Sequence, residues 1–122
     1  MDALILLAHG ARDPDWAAPL RRLQEVVGRQ TDAEVHLAFL EFMLPTLPVA
    51  IDTAVERGAS RISVLPVFLA QSGHVKRDLP EILAQAQSRH PQVSLDLYPA
   101  LGEAPEVIAA LAAAALRAHD GA

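Results

Sequence analysis

Segments typical of strands alternate with segments typical of helices along the whole chain, and this alternation constrains the fold more than any other feature. Apolar runs predict four strands, at residues 3–8, 33–41, 61–69 and 93–99. Helical spacing predicts a helix after each strand, at residues 14–28, 46–58, 78–89 and 104–118. This order predicts one α/β domain over residues 1–122, a four-stranded parallel sheet with helices on both faces in a flavodoxin-like three-layer arrangement.

Local signals set the predicted starts of the helices. Asp13 before Pro14 is typical of an N-cap followed by the first helical position, and Gly28 is a typical helix stop. Asp78 and Glu81 have the spacing of a capping box, so the third helix is predicted to start at Asp78. The Ala-rich fourth helix is expected to pack closely against its neighbours.

Composition excludes several classes of partner and site. A net charge of −5 argues against nucleic-acid binding, which needs a basic surface. No apolar run approaches the roughly 20 residues of a membrane span, and residues 1–10 lack the basic start of a signal peptide. The chain has no cysteines, so disulfides and thiolate metal sites are excluded and a cytoplasmic setting is expected. We therefore expect neither nucleic acid nor membrane among the partners.

Polar side chains follow three of the predicted strands at the point where each strand ends. His9 follows the first strand, Glu41 closes the second, and His74 lies in the predicted loop after the third. Because ligands of open parallel sheets bind outside the carboxyl ends of the strands, we expect these three residues at one edge. Two imidazoles and one carboxylate suit a divalent transition metal and leave coordination positions open.

Each of these residues also has a plainer interpretation when it is taken alone. His9 can cap a loop, and Glu41 can be a solvated carboxylate at a strand end. The flanking Ser72 and Gly73 favour an exposed functional loop around His74. Because the two histidines and the glutamate fall at one predicted edge, a common site is the stronger interpretation.

Three further histidines and one apolar segment need a separate interpretation. His36 lies inside the second predicted strand and is expected to be a packed core residue. His90 and His119, in a turn and near the end of the sequence, receive no role. Residues 42–44 are apolar where a hydrated loop is expected, so they either pack under the second helix or form an apolar wall beside Glu41.

Three motifs carry a resemblance to a known family. They are LLAHGARDP at 6–14, LEFMLPTLPVAI at 40–51 and VLPVFLAQSGHVKRDLPEI at 64–82. In this order and spacing the chain resembles the class II tetrapyrrole chelatases over about residues 3–118, and above all the short, single-domain sirohydrochlorin cobaltochelatases and ferrochelatases. It departs from the family's pattern at Ala11, where members commonly have Ser, so one hydroxyl beside the expected site is missing.

The resemblance implies an activity and its partners. Members of the family insert a divalent metal into a ring-shaped tetrapyrrole without ATP, in cobalamin or sirohaem biosynthesis. The metal is a substrate, with Co²⁺ the first expectation and Fe²⁺ or Ni²⁺ as alternatives, and no permanently bound cofactor is implied. The organic substrate would be sirohydrochlorin or a similar tetrapyrrole. The short members pair as homodimers and build the substrate cleft between subunits.

The resemblance also implies roles for particular residues. The family's metal-site histidines match His9 and His74, and its acidic residue matches Glu41. Insertion requires that two pyrrole N–H protons are removed, which a neutral imidazole or a carboxylate can accept. The ring face would lie on an apolar wall and its acidic side chains on nearby cations. The expected substrate-binding residues are Arg12, Phe42, Met43, Leu44, Ser72, Gly73, Lys76 and Arg77, with the segment 67–69 as a further part of the wall.

Other functions are also compatible with parts of the pattern. The same edge would serve a non-catalytic metal carrier or tetrapyrrole-binding module. A histidine phosphatase also has a His-Gly pair after a strand, but Ala8 stands here where that family needs an arginine to hold phosphate. Receiver and flavodoxin-like domains share only the architecture, because the chain lacks the acidic pair and the phosphate-binding loop that they require.

Overall fold

The computed structural model describes residues 1–121, in which four strands are each followed by a helix. The strands are β1 (Asp2–Ala8), β2 (Glu34–Phe39), β3 (Arg61–Pro66) and β4 (Ser94–Leu97). The α-helices are α1 (Ala18–Gly28), α2 (Leu47–Glu56), α3 (Gly73–Arg89) and α4 (Pro105–Asp120). Short 3₁₀ helices precede α1 at Pro14–Ala17 and α4 at Leu101–Glu103. The predicted order and type of the main elements are confirmed.

The four strands form one parallel sheet in the order β2-β1-β3-β4. In the sheet, β2 lies on one side of β1, whereas β3 and β4 lie on the other side. The connections that lead to β2 and to β3 therefore run in opposite directions along the sheet. Because such crossovers are right-handed, the two directions place their helices on opposite faces. Accordingly, α1 covers one face, and α2 and α3 cover the other. The predicted three-layer α/β fold is confirmed.

Two apolar cores lie on the two faces of the sheet. The larger core packs β1 residues such as Ile5 and Leu7 against α2 and α3, which contribute Ile51 and Leu79. The smaller core packs Leu6, Leu37 and Phe39 against α1. Since successive strand residues face opposite sides of a sheet, a strand buried on both faces must be apolar at every position. This requirement explains the continuous apolar run of β1.

The third helix begins earlier than the capping-box pattern predicts. It starts at Gly73, and the Ser72 hydroxyl accepts a hydrogen bond from the backbone N–H of Val75 at 3.3 Å. Asp78 therefore lies inside α3, so the predicted start at Asp78 is wrong. The helix extends forward because Val75 shares a buried face with Leu79. As a result His74 lies on the first turn of α3 and not in a loop.

The fourth helix does not pack closely against its own domain, contrary to the prediction. Within α4 no residue is buried, and Ile108, Leu111 and Leu116 are 54%, 48% and 62% exposed. The main contact of α4 is with the 3₁₀ helix that precedes it. Although α4 is rich in apolar residues, none of the helices in residues 1–121 has the length and hydropathy required to cross a membrane.

The expectation that His36 is a packed core residue is also wrong. The histidine lies on β2, which is an edge strand, and its half-buried ring places Nε2 at 3.2 Å from Oε1 of Glu34. His90 has a structural contact that the sequence did not indicate. It caps the C-terminus of α3, and its Nε2 lies 2.7 Å from Oδ1 of Asp52 on α2.

Candidate functional site

A cleft of about 200 Å³ opens at the carboxyl edge of the sheet, beside the start of α3. Its lining residues come from the ends of β1 and β2 and from one side of α3: His9, Leu40, Glu41, His74, Val75, Asp78, Leu79 and Ile82. The three residues that follow the predicted strands therefore line one cleft.

The backbone after β1 is tied to the backbone after β2, and this contact positions His9 beside Glu41. The N–H of Leu40 donates to the carbonyl of Ala8, and the N–H of Glu41 donates to the carbonyl of His9, both at 3.0 Å. Gly10 has a φ of 90°, and a Cβ at this position would overlap the carbonyl oxygen of Glu41. Only glycine allows this close approach of the two loops.

The imidazole of His9 is exposed but is held by an aromatic contact. It stacks on the ring of Phe68, with ring centroids 4.2 Å apart and an angle of 27° between the planes. Phe68 is buried, and its carbonyl accepts a hydrogen bond of 2.8 Å from the N–H of Gly102. The stack fixes the plane of the imidazole. It occupies a face of the ring, and the two ring nitrogens point outward in the plane, where they do not contact Phe68.

His74 forms a pair with a carboxylate one helical turn away. Its Nε2 lies 2.8 Å from Oδ2 of Asp78, at the i,i+4 spacing that places two side chains on the same side of a helix. A carboxylate this close to one ring nitrogen favours the proton on that nitrogen and leaves the other as an acceptor or a metal ligand. The sequence interpretation missed Asp78 as a site residue because it assigned Asp78 to the helix cap. The four-residue spacing from His74 would have indicated the pair.

The side chains that line the cleft do not form a closed metal site in this conformation. Within residues 1–121, no three His, Cys, Asp or Glu side chains lie close enough to hold one ion. Each imidazole and carboxylate of the cleft is still a donor group for a metal or an acceptor for a proton. His9, Glu41 and His74, which were predicted to share one ion, therefore line one cleft but do not converge on a single metal position in this structure.

In the apolar segment after β2, residues 42–44, one side chain is packed and two are exposed, so each of the two interpretations holds in part. Met43 packs against the smaller core, whereas Phe42 and Leu44 are 56% and 81% exposed. The guanidinium carbon of Arg12 lies 4.5 Å from the centre of the Phe42 ring, a cation–π contact that holds the ring at the surface. Two of these three side chains are thus available to an apolar ligand.

The segment after β3 contributes less exposed apolar surface than expected. Of residues 67–69, Leu69 is 68% exposed, while Phe68 lies under His9 and Val67 packs against the smaller core. Of the apolar wall predicted from residues 67–69, Leu69 is therefore the one exposed member.

The basic side chains expected to bind substrate lie at the start of α3 and in the loop after β1. Lys76 and Arg77 are exposed on the first turns of α3, close in sequence to His74. Across the described part of the chain, Arg12, Lys76 and Arg77 take part in no salt bridge. They are free to bind the acidic groups of a ligand. Ser72 caps the helix and Gly73 has open space around it.

Comparison with known families and proteins gives one consistent answer. Residues 3–118 match the family model described as CbiX. The sirohydrochlorin cobaltochelatase of Methanocaldococcus jannaschii is 42% identical over 91 residues, which cover 74% of this chain and 64% of that protein. The sirohydrochlorin ferrochelatase of Priestia megaterium is 31% identical over 96 residues, covering 78% of this chain and 36% of that protein. The chain thus spans less than two thirds of the length of these relatives.

Solved structures share the fold. A protein of Marinobacter aquaeolei described as a CbiX protein of cobalamin biosynthesis superposes with a TM-score of 0.89 at 24% identity, with both chains fully covered. The sirohydrochlorin chelatase SirB of Bacillus subtilis, in complex with cobalt, superposes with a TM-score of 0.72 at 29% identity. The match covers 80% of this chain and 43% of SirB.

Proposed function

This chain belongs to the CbiX family, and we propose on that basis that it is a chelatase that inserts a divalent metal into sirohydrochlorin without ATP. The observation that carries the proposal is the single cleft lined by His9, Glu41 and His74, whose donor groups suit a transition metal. Co²⁺ is the proposed metal substrate, because several relatives are named cobaltochelatases and SirB binds cobalt. Fe²⁺ and Ni²⁺ are the competing metals.

In the proposed reaction the residues of the cleft hold the metal and accept protons. His9 and His74 bind the incoming ion or take the pyrrole protons, and Glu41 assists as a ligand or proton acceptor. The carboxylate of Asp78, 2.8 Å from Nε2 of His74, favours a proton on that nitrogen and so leaves on Nδ1 the lone pair that either role requires. The ring nitrogens of the substrate then replace the protein ligands as the ion enters the macrocycle.

The tetrapyrrole is proposed to lie across the mouth of the cleft. A volume of about 200 Å³ is smaller than the range of about 300–1,000 Å³ usual for ligand pockets. Phe42, Leu44 and Leu69 provide exposed apolar surface for one face of the ring. Arg12, Lys76 and Arg77 would bind its carboxylates, which favours binding despite the net negative charge of the chain.

A ring that lies across an open mouth needs a second wall for its other face. We therefore include in the proposal that two copies of this single chelatase-like domain, residues 1–122, form a homodimer with the substrate cleft between them. The proposal also places the protein in the cytoplasm, with sirohydrochlorin as its partner in cobalamin or sirohaem biosynthesis.

The proposal is tested by measuring metal insertion with Co²⁺, Fe²⁺ and Ni²⁺ in parallel. The absorbance change of sirohydrochlorin reports the insertion. Wild-type protein should give many turnovers, and His74→Ala should lose insertion while keeping its circular dichroism spectrum. His36→Gln, which changes a histidine outside the cleft, is the matched control and should retain the wild-type rate. Wild-type rates in His74→Ala would refute the assigned site. Binding of metal and tetrapyrrole without turnover would instead identify a carrier.

A further inference from the structure

The loop after β4, residues 98–104, packs behind the candidate site. In the part of the chain that the structure describes, the lining of the cleft comes from the ends of β1 and β2 and from α3, and includes no residue of this loop. Ala100 lies in the larger core together with Phe68, and Gly102 is buried in the short 3₁₀ helix. The loop therefore contacts the residues that support the site and not the cleft itself.

Gly102 lies directly against the backbone of the segment that follows β3. Its N–H donates a hydrogen bond of 2.8 Å to the carbonyl of Phe68. A Cβ at this position would overlap the carbonyl oxygens of Phe68 and Leu69 and the Cα of Leu69. Its φ lies outside the left-handed region, so close approach of the two backbones is the reason that glycine is required here.

The two residues that Gly102 contacts have different places in the candidate site. The Phe68 ring is buried and stacks on the imidazole of His9, with ring centroids 4.2 Å apart. Leu69 is exposed and forms part of the apolar surface beside the cleft. A displacement of this short segment would therefore move the support of His9 and the apolar surface together.

Few other contacts of the backbone hold this segment. The N–H of Val67 donates to the carbonyl of Leu7 on β1 at 2.7 Å, which fixes the start of the segment. From Phe68 to Gln71, within the described chain, the bond from Gly102 is the one backbone hydrogen bond. The position of Phe68 thus depends on β1 on one side and on Gly102 on the other.

We propose that Gly102 is a positioning residue of the candidate site, which acts on His9 through Phe68 and on the substrate ring through Leu69. Its effect on metal insertion rests on the proposed function, whereas its effect on the placement of His9 does not. Alanine at position 102 would push the segment away by roughly an ångström, a distance at which misplaced groups slow reactions by up to about 100-fold.

The NMR signal of the His9 ring tests the placement directly. A proton over the face of an aromatic ring is shifted upfield, so the carbon-bound ring protons of His9 should resonate upfield of those of an unstacked histidine. The spectrum of His9→Gln, which lacks these signals, identifies them. Gly102→Ala should move the His9 signals toward the positions that they have in Phe68→Leu.

Gly58→Ala is the matched control for a loss of stability. Gly58 has a φ of 104°, which is unfavourable for alanine, but nothing lies within 4 Å of a Cβ there. The residue precedes β3, at the edge of the sheet opposite the cleft. Both glycine variants should lower the urea midpoint, and Gly58→Ala should leave the His9 signals unchanged.

Titration with Co²⁺ alone measures the consequence for the site. The ion is paramagnetic and broadens the signals of nearby groups, so the loss of the His9 signals gives its Kd. Gly102→Ala should raise this Kd, and lower kcat/KM for insertion, by about 10-fold, the lower end of the range for residues behind a metal ligand. Gly58→Ala should keep the wild-type values of both quantities.

The possible outcomes separate this proposal from the proposed function. His9 signals that Gly102→Ala leaves in place, or equal losses of Co²⁺ affinity in the two glycine variants, would overturn the positioning role. If Gly102→Ala does not fold, Ala100→Gly replaces it, because it removes a buried methyl group of the loop without adding an atom. It should move the His9 signals in the same direction by a smaller amount. A wild type that inserts no metal would refute the chelatase proposal, and the His9 signals would still decide the role of Gly102.

Discussion

The imidazole Nε2 of His74 lies 2.8 Å from the carboxylate of Asp78, one turn further along α3. The pair exists because Ser72 caps the helix and so brings both residues into its first two turns. A carboxylate in this position fixes the orientation and tautomer of an imidazole and raises its basicity as a ligand. Asp78 is thus a positioning residue for His74 in the proposed reaction.

Removing this carboxylate should slow metal insertion without unfolding the protein. We expect Asp78→Asn to lower kcat/KM for metal insertion by about 10- to 100-fold, because the imidazole loses its charged partner. Glu81→Gln, on the same helix and outside the cleft, is the control and should retain activity. An Asp78→Asn rate within twofold of wild type, at equal metal affinity, would exclude the positioning role.

The fold could be predicted because each physical requirement leaves a local pattern. Strands buried on both faces are apolar along most of their length, and that pattern located β1. The position of His9, Glu41 and His74 in one cleft follows from a rule about strand ends, although their chemical roles stay predictions.

Other features depend on choices that local patterns do not decide. Ser72 and Asp78 are both good capping residues, and only the burial of Val75 shows that the helix starts at the first. The stack of His9 on Phe68 joins residues 59 positions apart in the sequence, and no local signal specifies it. The exposure of α4 could not be predicted either, because an Ala-rich apolar composition does not distinguish a helix buried in its own domain from one that stays exposed.

The stack between His9 and Phe68 can be separated from the packing of Phe68. Phe68→Leu keeps an apolar side chain in the core, so its free energy of unfolding should fall by less than about 1.5 kcal/mol. It removes the aromatic support of the His9 ring, so metal insertion should slow several-fold. Urea unfolding and insertion kinetics on the same preparation measure both quantities. An unchanged insertion rate would show that the stack does not position His9.

The hydrogen bond between Asp52 and His90 should make stability depend on pH. The hydrogen bond from His90, with a further contribution from Arg89, lowers the pKa of Asp52 below its ordinary value. A carboxylate with a lowered folded-state pKa stabilises the fold above its unfolded-state pKa, and this contribution is lost as the pH falls through the lowered value. Asp52→Asn should therefore cost about 0.5–1 kcal/mol at pH 7, the modest value of a partly exposed pair.

The difference between Asp52→Asn and wild type should then shrink toward zero below the unfolded-state pKa, about 3.9 for an aspartate. Urea midpoints measured across this range for both proteins would show the convergence. Asp32→Asn, which changes an exposed aspartate in the segment between α1 and β2, is the matched control and should leave the midpoint unchanged at every pH. A difference in urea midpoint between Asp52→Asn and wild type that persists at acid pH would contradict the role assigned to the hydrogen bond between Asp52 and His90.

Gly10 should be the least replaceable glycine of the chain, because two independent constraints act on it. Its φ of 90° is unfavourable for any residue with a side chain, and a Cβ would overlap the carbonyl of Glu41. Gly10→Ala must therefore separate the two loops that hold His9 beside Glu41. It should lower the free energy of unfolding by about 2 kcal/mol or more and abolish insertion.

Gly28→Ala is the control, since nothing lies within 4 Å of a Cβ at that position. It should be neutral or stabilising by up to about 1 kcal/mol, with full activity, because alanine favours the last turn of α1. If the two variants were equally stable and active, the backbone contact between the loops would have no part in building the cleft.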